Sequence, residues 1–237
     1  MFIAGRASLE RDTITLDGPE GRHAATVRRL RPGERVDLTD GEGLVAECVV
    51  AAARPGSLDL VVQRRRVEPP PQPRICVIQA IPKGDRGEQA VETMTEVGVD
   101  VIVPWRAERC VAIWTRPDRA LARWRATTVQ AAKQARRAHI PEITEMAATA
   151  TVASLLGAAA CAIVLDPEAR GRIGELPLPG SGDIVLVVGP EGGVTPAEAA
   201  AFAAAGATGV RLGPAVLRSS TAGTAAAAVL LSRCGRW

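Results

Sequence analysis

The stretch IVLVVGPEGGVTPAE, residues 184–198, joins a strand pattern directly to a helix pattern. Residues 184–188 are a continuous apolar run of strand length, which is typical of a strand buried on both faces of a parallel sheet. Thr195 and Glu198 form a capping box with proline at the first helical position, and this pattern predicts a helix that ends near Gly206. Because open α/β sheets bind ligands at the carboxyl ends of their strands, the turn between the two elements is a candidate binding site.

The turn itself, residues 189–193, has the sequence GPEGG. Its three glycines would let the backbone approach a ligand closely. The pattern is neither GxGxxG nor GxxxxGK[ST], and the carboxylate of Glu191 would repel a phosphate, so a nucleotide-phosphate loop is disfavoured. A cationic or zwitterionic ligand suits this carboxylate better. The alternative is a tight strand-to-helix turn that requires glycine and binds no ligand.

A second segment of the same kind is VRLGPAVLRSSTAG, residues 210–223. A strand predicted over residues 210–212 runs into a Gly-Pro turn, and three hydroxyl residues then cap an alanine-rich final helix. Two glycine turns at the ends of two strands would line one crevice. Arg218 lies between an apolar pair and the helix start, which favours a role in that crevice. The alternative for Arg218 is an ion pair with a nearby carboxylate.

The pattern of elements changes near residue 70. Residues 1–70 read as short strands separated by turns, which predicts a small antiparallel barrel. The proline-rich residues 67–73 are interpreted as a linker, because consecutive prolines join neither a helix interior nor a central strand. Residues 74–237 alternate strands with helices, which predicts an α/β domain with a parallel sheet.

The predicted strands are residues 13–16, 35–39, 44–52, 58–62, 75–81, 99–104, 161–165, 184–188 and 210–212. One helix is expected to begin at a capping box of Asp85 and Glu88 and to end at Gly98. A longer helix is expected from a cap at Thr115 or Asp118 to about residue 138.

Composition excludes several classes of protein. The 237 residues are 47% hydrophobic and 23% charged, which excludes a disordered or fibrous chain. No apolar run approaches the length of about 18 residues that a membrane span needs, and the first residues lack a signal-peptide pattern, so a cytoplasmic protein without a membrane partner is expected. Five scattered cysteines without a CxxC pair favour reduced thiols. Since only His23 and His139 could add imidazole ligands, no metal site is expected.

The basic residues are almost all arginine, 27 of 29, and the net charge is +3. Residues 116–137 hold seven basic side chains against one acid, Asp118, a concentration that would attract a polyanion such as RNA. Two alternatives stay open: a GC-rich genome that replaces lysine by arginine, and a solvated helix face.

Six segments together resemble one known family. They are GPEGG at 189–193, LGP..LR at 212–218, KGDRGE at 83–88, EVGV at 96–99, ERC at 108–110 and RPGERVDLTDGEG at 31–43. In this combination and order the chain resembles the bacterial 16S rRNA (uracil-N3)-methyltransferases of the RsmE type, which are S-adenosylmethionine enzymes of the SPOUT class. The likeness covers both halves of the chain and is therefore more specific than either glycine turn alone.

The resemblance implies a PUA-like β-barrel that binds RNA over residues 1–70 and a SPOUT-type parallel-sheet domain with a trefoil knot over residues 74–237. It implies a homodimer that acts on 16S rRNA of the small ribosomal subunit, with S-adenosyl-L-methionine bound between the turn after Leu165 and the two glycine segments. The cofactor-binding residues that it implies are Leu165, Val188, Gly189, Pro190, Glu191, Gly193, Leu212, Gly213, Val216, Leu217 and Arg218. The candidate RNA-binding residues are Arg22, Arg28, Arg29, Lys83, Arg86, Arg109, Lys133, Arg136 and Arg137.

The expected reaction methylates N3 of one uridine, and Arg218 is the candidate for stabilising the uracil anion. The chain departs from the family pattern at Ser220, often a glutamate, and at Thr93, often a lysine. These departures remove one carboxylate that could have been the general base, which stays unassigned. Two alternatives follow: a non-catalytic RNA-binding module on the same fold, or a SPOUT methyltransferase that acts on another RNA.

Overall fold

The computed structural model describes all of residues 1–237, which form two compact units. The first unit is Met1–Pro70 with Ala132–Ile140, and the second is Pro71–Ala131 with Pro141–Trp237. The sequence predicts that residues 132–140 belong to the domain after the linker, whereas in the structure they belong to the first unit. The carbonyl of Ala138 explains this, because it accepts the Thr39 hydroxyl at 3.1 Å and the Gly43 N–H at 3.1 Å.

The first unit contains one sheet with short helices beside it. Its elements are β1 (Phe2–Ile3), α1 (Arg6–Leu9), β2 (Thr13–Leu16), α2 (Gly18–Arg22), a π-helical turn (His23–Val27), β3 (Arg35–Thr39), β4 (Leu44–Arg54) and β5 (Ser57–Val67). The strands run in the order β1-β3-β4-β5-β2 and curl into a half-barrel. All pairs are antiparallel except β1 with β3. The predicted strands are confirmed, and β4 and β5 are longer than predicted.

The second unit contains a six-stranded sheet flanked by helices. Its elements are β6 (Arg74–Ala80), α3 (Arg86–Val97), β7 (Val101–Trp105), α4 (Pro117–Gln134), β8 (Glu142–Ile143), α5 (Thr149–Ala158), β9 (Cys161–Leu165), β10 (Asp183–Val188), α6 (Pro196–Ala204), β11 (Thr208–Val210) and α7 (Ser219–Arg233). The last residues of α4 belong to the first unit. The sheet order is β11-β9-β10-β6-β7-β8, and every pair is parallel. The predicted parallel α/β fold is therefore confirmed.

The sheet is buried on both faces, which explains its continuous apolar strands. Alternate residues of β10 point to opposite sides, so Leu186 packs in one apolar cluster and Val187 in the other. The first cluster includes Met94 of α3 and Leu230 of α7. The second includes Phe202 of α6. The second unit thus has three layers, with the sheet in the middle.

Several predicted caps and boundaries differ from the structure. Strands β6 and β7 are each shifted by one or two residues from the predicted ranges 75–81 and 99–104. Asp85 is the N-cap of α3 as predicted, but its side chain makes no capping hydrogen bond, and Glu88 Oε1 instead lies 3.4 Å from Arg123 Nε. Helix α4 ends at Gln134 rather than near residue 138, because Arg136 has a left-handed backbone with φ of 54°. Strand β11 is Thr208–Val210 rather than residues 210–212, since the ladder with β9 ends at Val210.

The hydroxyl cap predicted for the final helix is wrong, because the N-cap of α7 is Arg218 and no side chain makes a capping hydrogen bond there. Two further predictions about helix ends are confirmed. Gly98 ends α3 in the left-handed conformation, with φ of 113°. Both hydrogen bonds of the Thr195–Glu198 capping box are present at the start of α6. In no helix is there an apolar stretch long enough to cross a membrane.

Candidate active site

Three neighbouring strands end at one edge of the second unit's sheet. Strand β9 ends at Leu165, β10 at Val188 and β11 at Val210. Because these strands are parallel and adjacent, their carboxyl ends and the segments that follow lie together. The segments enclose a cavity of about 580 Å³. This volume lies within the range of about 300–1,000 Å³ that small-molecule sites occupy.

All eleven residues that the sequence resemblance assigned to cofactor binding line this cavity. Other residues of the cavity wall were not expected from the sequence, among them Asp166, Pro167, Val194, Arg211 and Ser219. Asp166 and Pro167 directly follow a predicted strand, so their position alone could have indicated them. Ser219 could not have been separated from its hydroxyl neighbours by sequence.

The GPEGG turn needs each of its glycines for a separate reason. A β-carbon on Gly189 would lie 3.0 Å from Val194 Cγ2, and one on Gly192 would lie 3.0 Å from Arg109 Cβ. Gly193 has a φ of 74°, which side-chain-bearing residues rarely adopt. The Arg109 guanidinium donates to the Gly192 carbonyl at 3.2 Å. The backbone of this turn is therefore held close to its neighbours while one side faces the cavity.

Glu198 fixes the start of the helix that follows this turn. Its buried carboxylate accepts the Thr195 N–H at 2.9 Å, the Glu108 N–H at 2.8 Å and the Thr149 hydroxyl at 3.3 Å. Burial raises the pKa of Glu198, but these hydrogen bonds outweigh burial, so that its pKa lies below the usual value. The carboxylate is therefore ionised at neutral pH and joins two loops of the site.

The charged groups on the cavity wall are of both signs. Glu191 lies on the GPEGG turn, with Arg86 Nη1 3.9 Å from its Oε1. Asp166 follows β9, and its Oδ1 accepts the Glu168 N–H at 2.9 Å. Arg218 is exposed and makes no ion pair. The alternative that it pairs with a nearby carboxylate is therefore wrong.

The two positions that depart from the family pattern lie in packed surroundings. The Thr93 hydroxyl lies 2.7 Å from the Thr224 hydroxyl, a hydrogen bond that joins α3 to α7. Ser220 is buried in the first turn of α7 and does not line the cavity. Neither departure removes a group from the cavity wall of this chain.

The candidate RNA-binding residues divide between the two units. In the second unit Lys83, Arg86 and Arg109 are exposed. In the first unit Arg22, Arg28, Arg29 and Arg136 are exposed, and Arg137 is half-buried. Arg29 and Arg136 both have left-handed backbones, with φ of 53° and 54°.

Lys133 differs from the rest of this set because it is only 5% exposed. Its ammonium donates to Glu20 Oε1 at 2.6 Å and lies 5.7 Å from the centre of the Phe2 ring. The other carboxylate oxygen of Glu20 accepts the Ile3 N–H at 3.1 Å. The structure thus gives Lys133 a position inside the first unit, where its charge is matched by Glu20.

No group of three or more His, Cys, Asp or Glu side chains is arranged to hold a metal ion. All five cysteines are free thiols. Burial raises the pKa of the Cys76 thiol to about 12 and that of the Cys48 thiol to about 11. These two thiols are therefore unreactive at neutral pH.

Comparison with known proteins decides the family. The family model of the RNA methyltransferase domain matches residues 68–231, and the family model of the RNA methyltransferase PUA domain matches residues 16–63. The ribosomal RNA small subunit methyltransferase E of Mycobacterium tuberculosis is 47% identical over 94% of this chain and 87% of its own length. This chain belongs to the ribosomal RNA small subunit methyltransferase E family.

Solved structures of the methyltransferase E family and its relatives share the fold. The Neisseria gonorrhoeae ribosomal RNA small subunit methyltransferase E, bound to S-adenosyl methionine, has a TM-score of 0.84 and 27% identity, covering 98% of this chain and 96% of that one. A Legionella pneumophila protein in complex with the same cofactor has a TM-score of 0.86 over the same shares of the two chains. At 24% identity, this second likeness shows the fold alone.

Proposed function

We propose that this protein transfers a methyl group from S-adenosyl-L-methionine to N3 of one uridine in 16S rRNA of the small ribosomal subunit. The observation that carries the proposal is the cavity at the ends of β9, β10 and β11, in which all eleven expected cofactor-binding residues meet. Membership of the methyltransferase E family supports the same reaction and substrate. Since its substrate is assembled there, the protein is proposed to act in the cytoplasm.

The residues that line the cavity fit this cofactor. S-adenosylmethionine is a zwitterion with a positive sulfonium, and when bound it supplies an electrophilic methyl group. The carboxylates of Glu191 and Asp166 on the cavity wall complement positive charge. Apolar side chains such as Leu165, Val188 and Leu217 suit an adenine ring.

The protein's own part in the reaction is positioning and charge stabilisation. The N3 proton of uracil must be lost, because that nitrogen is protonated at neutral pH, and negative charge then develops on N3 and its flanking carbonyl oxygens. The guanidinium of Arg218 has no carboxylate partner and is available to stabilise that charge. Correct placement of the base contributes further acceleration. Because N3 is normally engaged in pairing, the base must enter unpaired or flipped out.

RNA binding is proposed for the exposed arginines and lysine of each unit. Arg22, Arg28, Arg29 and Arg136 of the first unit would contact phosphates, as would Lys83, Arg86 and Arg109 of the second. Arg137, half-buried, is retained as a weaker candidate. Lys133 is left out because its charge is buried against Glu20. The two units are proposed as the RNA-binding domain and the methyltransferase domain.

A homodimer is proposed from apolar side chains exposed in the second unit. Val111, Ile113 and Val216 are 65%, 70% and 79% exposed. Val111 and Ile113 lie two residues apart in the segment between β7 and α4, and adjoining apolar groups exposed to this degree favour burial against another protein surface. Sedimentation equilibrium of the purified protein should give twice the chain mass of 24.7 kDa. A single-chain mass at micromolar concentration would contradict the dimer.

The test of the function is transfer of labelled methyl groups. Purified protein with labelled S-adenosylmethionine should modify small subunits or 16S rRNA from cells that lack the enzyme, and mass mapping should place the methyl on N3 of a single uridine. Label in transfer RNA alone would mean that another RNA is the substrate. Cofactor binding without transfer to any RNA, or no cofactor binding at all, would favour the non-catalytic RNA-binding module.

A further inference from the structure

The most unusual polar group in the second unit is the side chain of Gln79. It lies near the end of β6, fully buried, and pairs in the sheet with Val188 of β10 and Pro104 of β7. Its Nε2 donates to the Ala80 carbonyl at 2.9 Å and to the Ser219 hydroxyl at 3.0 Å. A buried amide among apolar strands is unfavourable unless its hydrogen-bonding groups are satisfied.

The orientation of this amide follows from its partners. A carbonyl oxygen only accepts, so the Ala80 carbonyl requires that Nε2, rather than Oε1, face it. The second N–H of the amide is then directed to Ser219, and Oε1 is left without any hydrogen-bond partner. An unsatisfied buried acceptor costs free energy that an apolar side chain would not. Because an apolar side chain would avoid this cost, we explain the glutamine at this position by the hydrogen bond that it donates to Ser219.

Ser219 is the first residue of α7, is 7% exposed and lines the cavity. Because its oxygen accepts the Gln79 N–H, its own hydrogen is directed away from Gln79. The hydroxyl donates to no protein acceptor. A buried donor without a protein partner, on the wall of a ligand cavity, is suited to a ligand acceptor.

We propose that Ser219 donates its hydroxyl hydrogen to S-adenosylmethionine and that Gln79 acts as a positioning residue by holding the hydroxyl in the donating orientation. The inference rests on the proposed function and adds a side-chain donor to the cofactor site. The adenine ring nitrogens, the ribose oxygens and the carboxylate of this cofactor are all acceptors for a hydroxyl hydrogen. Ser219 is buried whereas Arg218 is exposed, so the cofactor rather than an incoming RNA base is the partner of Ser219.

The test measures binding of S-adenosylmethionine by calorimetry without RNA. Ser219→Ala is expected to raise the Kd about five- to tenfold, the usual effect of one lost hydrogen bond. Ser219→Thr keeps the hydroxyl and should stay within about twofold of the parent. Gln79→Met should raise the Kd by about the same factor as Ser219→Ala, and the double variant should show no further increase, because the two groups act through one bond.

Controls separate this inference from the proposed function. Ser232→Ala, at the exposed end of the same helix, should leave the Kd unchanged.

If the parent protein does not bind the cofactor, the proposed function fails. If the parent binds and Ser219→Ala binds equally well, the role of Ser219 is wrong, and a loss of methyl transfer with unchanged Kd would assign the hydroxyl to the RNA base instead. If Ser219→Ala weakens binding and Gln79→Met does not, the positioning role of Gln79 is wrong. Circular dichroism melting shows that each variant is folded.

Discussion

The buried carboxylate of Glu198 accepts the backbone N–H of Glu108, 90 residues earlier in the chain, at 2.8 Å. The same carboxylate caps α6, so one side chain joins the first turn of that helix to residues 107–110. Arg109 in this loop in turn donates to the Gly192 carbonyl of the GPEGG turn. Glu198 lies outside the cavity wall, yet through this loop it supports the shape of the GPEGG turn that lines the cavity.

Glu198→Gln is expected to destabilise the protein by about 1–3 kcal/mol at pH 7, because its amide would direct N–H groups toward backbone donors. The pKa of Glu198 is lowered in the folded state, so its stabilising contribution is present above the ordinary glutamate pKa of about 4.3 and is lost as the pH falls through the folded value. Urea titrations from pH 7 to pH 3 should show the difference between parent and variant narrowing below about pH 4. Glu96→Gln, exposed on α3, is the control and should have little effect.

Arg218→Ala is expected to lower the rate of methyl transfer by about a hundredfold or more, while the Kd for S-adenosylmethionine changes little. The reason is that the guanidinium is proposed to stabilise charge that develops only during the reaction. Single-turnover rates with excess enzyme and calorimetry of the cofactor measure the two effects separately. Arg170→Ala, exposed and outside the cavity wall, is the matched control. An equal loss of rate and of cofactor affinity would contradict the assignment.

Lys133→Met is expected to destabilise the first unit by about 3 kcal/mol, because it leaves the carboxylate of Glu20 in a partly buried site without its cation. Chemical denaturation measures this loss, and adding Glu20→Gln to Lys133→Met should restore part of it.

Arg136→Gln provides the contrast. It should barely change stability but weaken RNA binding and reduce the salt dependence of that binding by about one unit of slope. If folded Lys133→Met lost as much RNA affinity as Arg136→Gln, Lys133 would be a phosphate contact after all.

Cys48 and Cys76 should resist alkylation in the folded protein. Burial raises the pKa of the Cys76 thiol to about 12 and that of Cys48 to about 11, so almost no thiolate is present at pH 8. Mass spectrometry after iodoacetamide treatment should detect modification of both only when the chain is unfolded in urea. Rapid labelling of Cys76 under native conditions would show that β6 opens readily.

Local signals made the elements on either side of the GPEGG turn predictable. The apolar run of β10 and the capping box at Thr195 each depend on residues within a few positions, and both are present as predicted. The Asp85–Glu88 pair has the same pattern, yet Glu88 is drawn to Arg123, which sequence proximity does not reveal. The two-residue strands β1 and β8 are too short to produce any periodic pattern.

Long-range partners limited the prediction of functional side chains. Lys133 looked like part of a basic surface because its partner Glu20 is 113 residues away. The pairing of Gln79 with Ser219 spans 140 residues and leaves no local pattern either. By contrast, Arg218 lines the cavity and lies in a segment that a local pattern marks, because it stands between an apolar pair and a helix start shortly after a Gly-Pro turn.

The order β11-β9-β10 means that the cavity is assembled from chain segments that are synthesised at different times. A nascent chain that has emerged only as far as α6 contains the GPEGG turn but lacks the wall formed by residues 210–222. The polypeptide therefore gains the ability to bind a ligand here only late in folding, after the non-local contacts between these strands have formed. Such contacts form slowly.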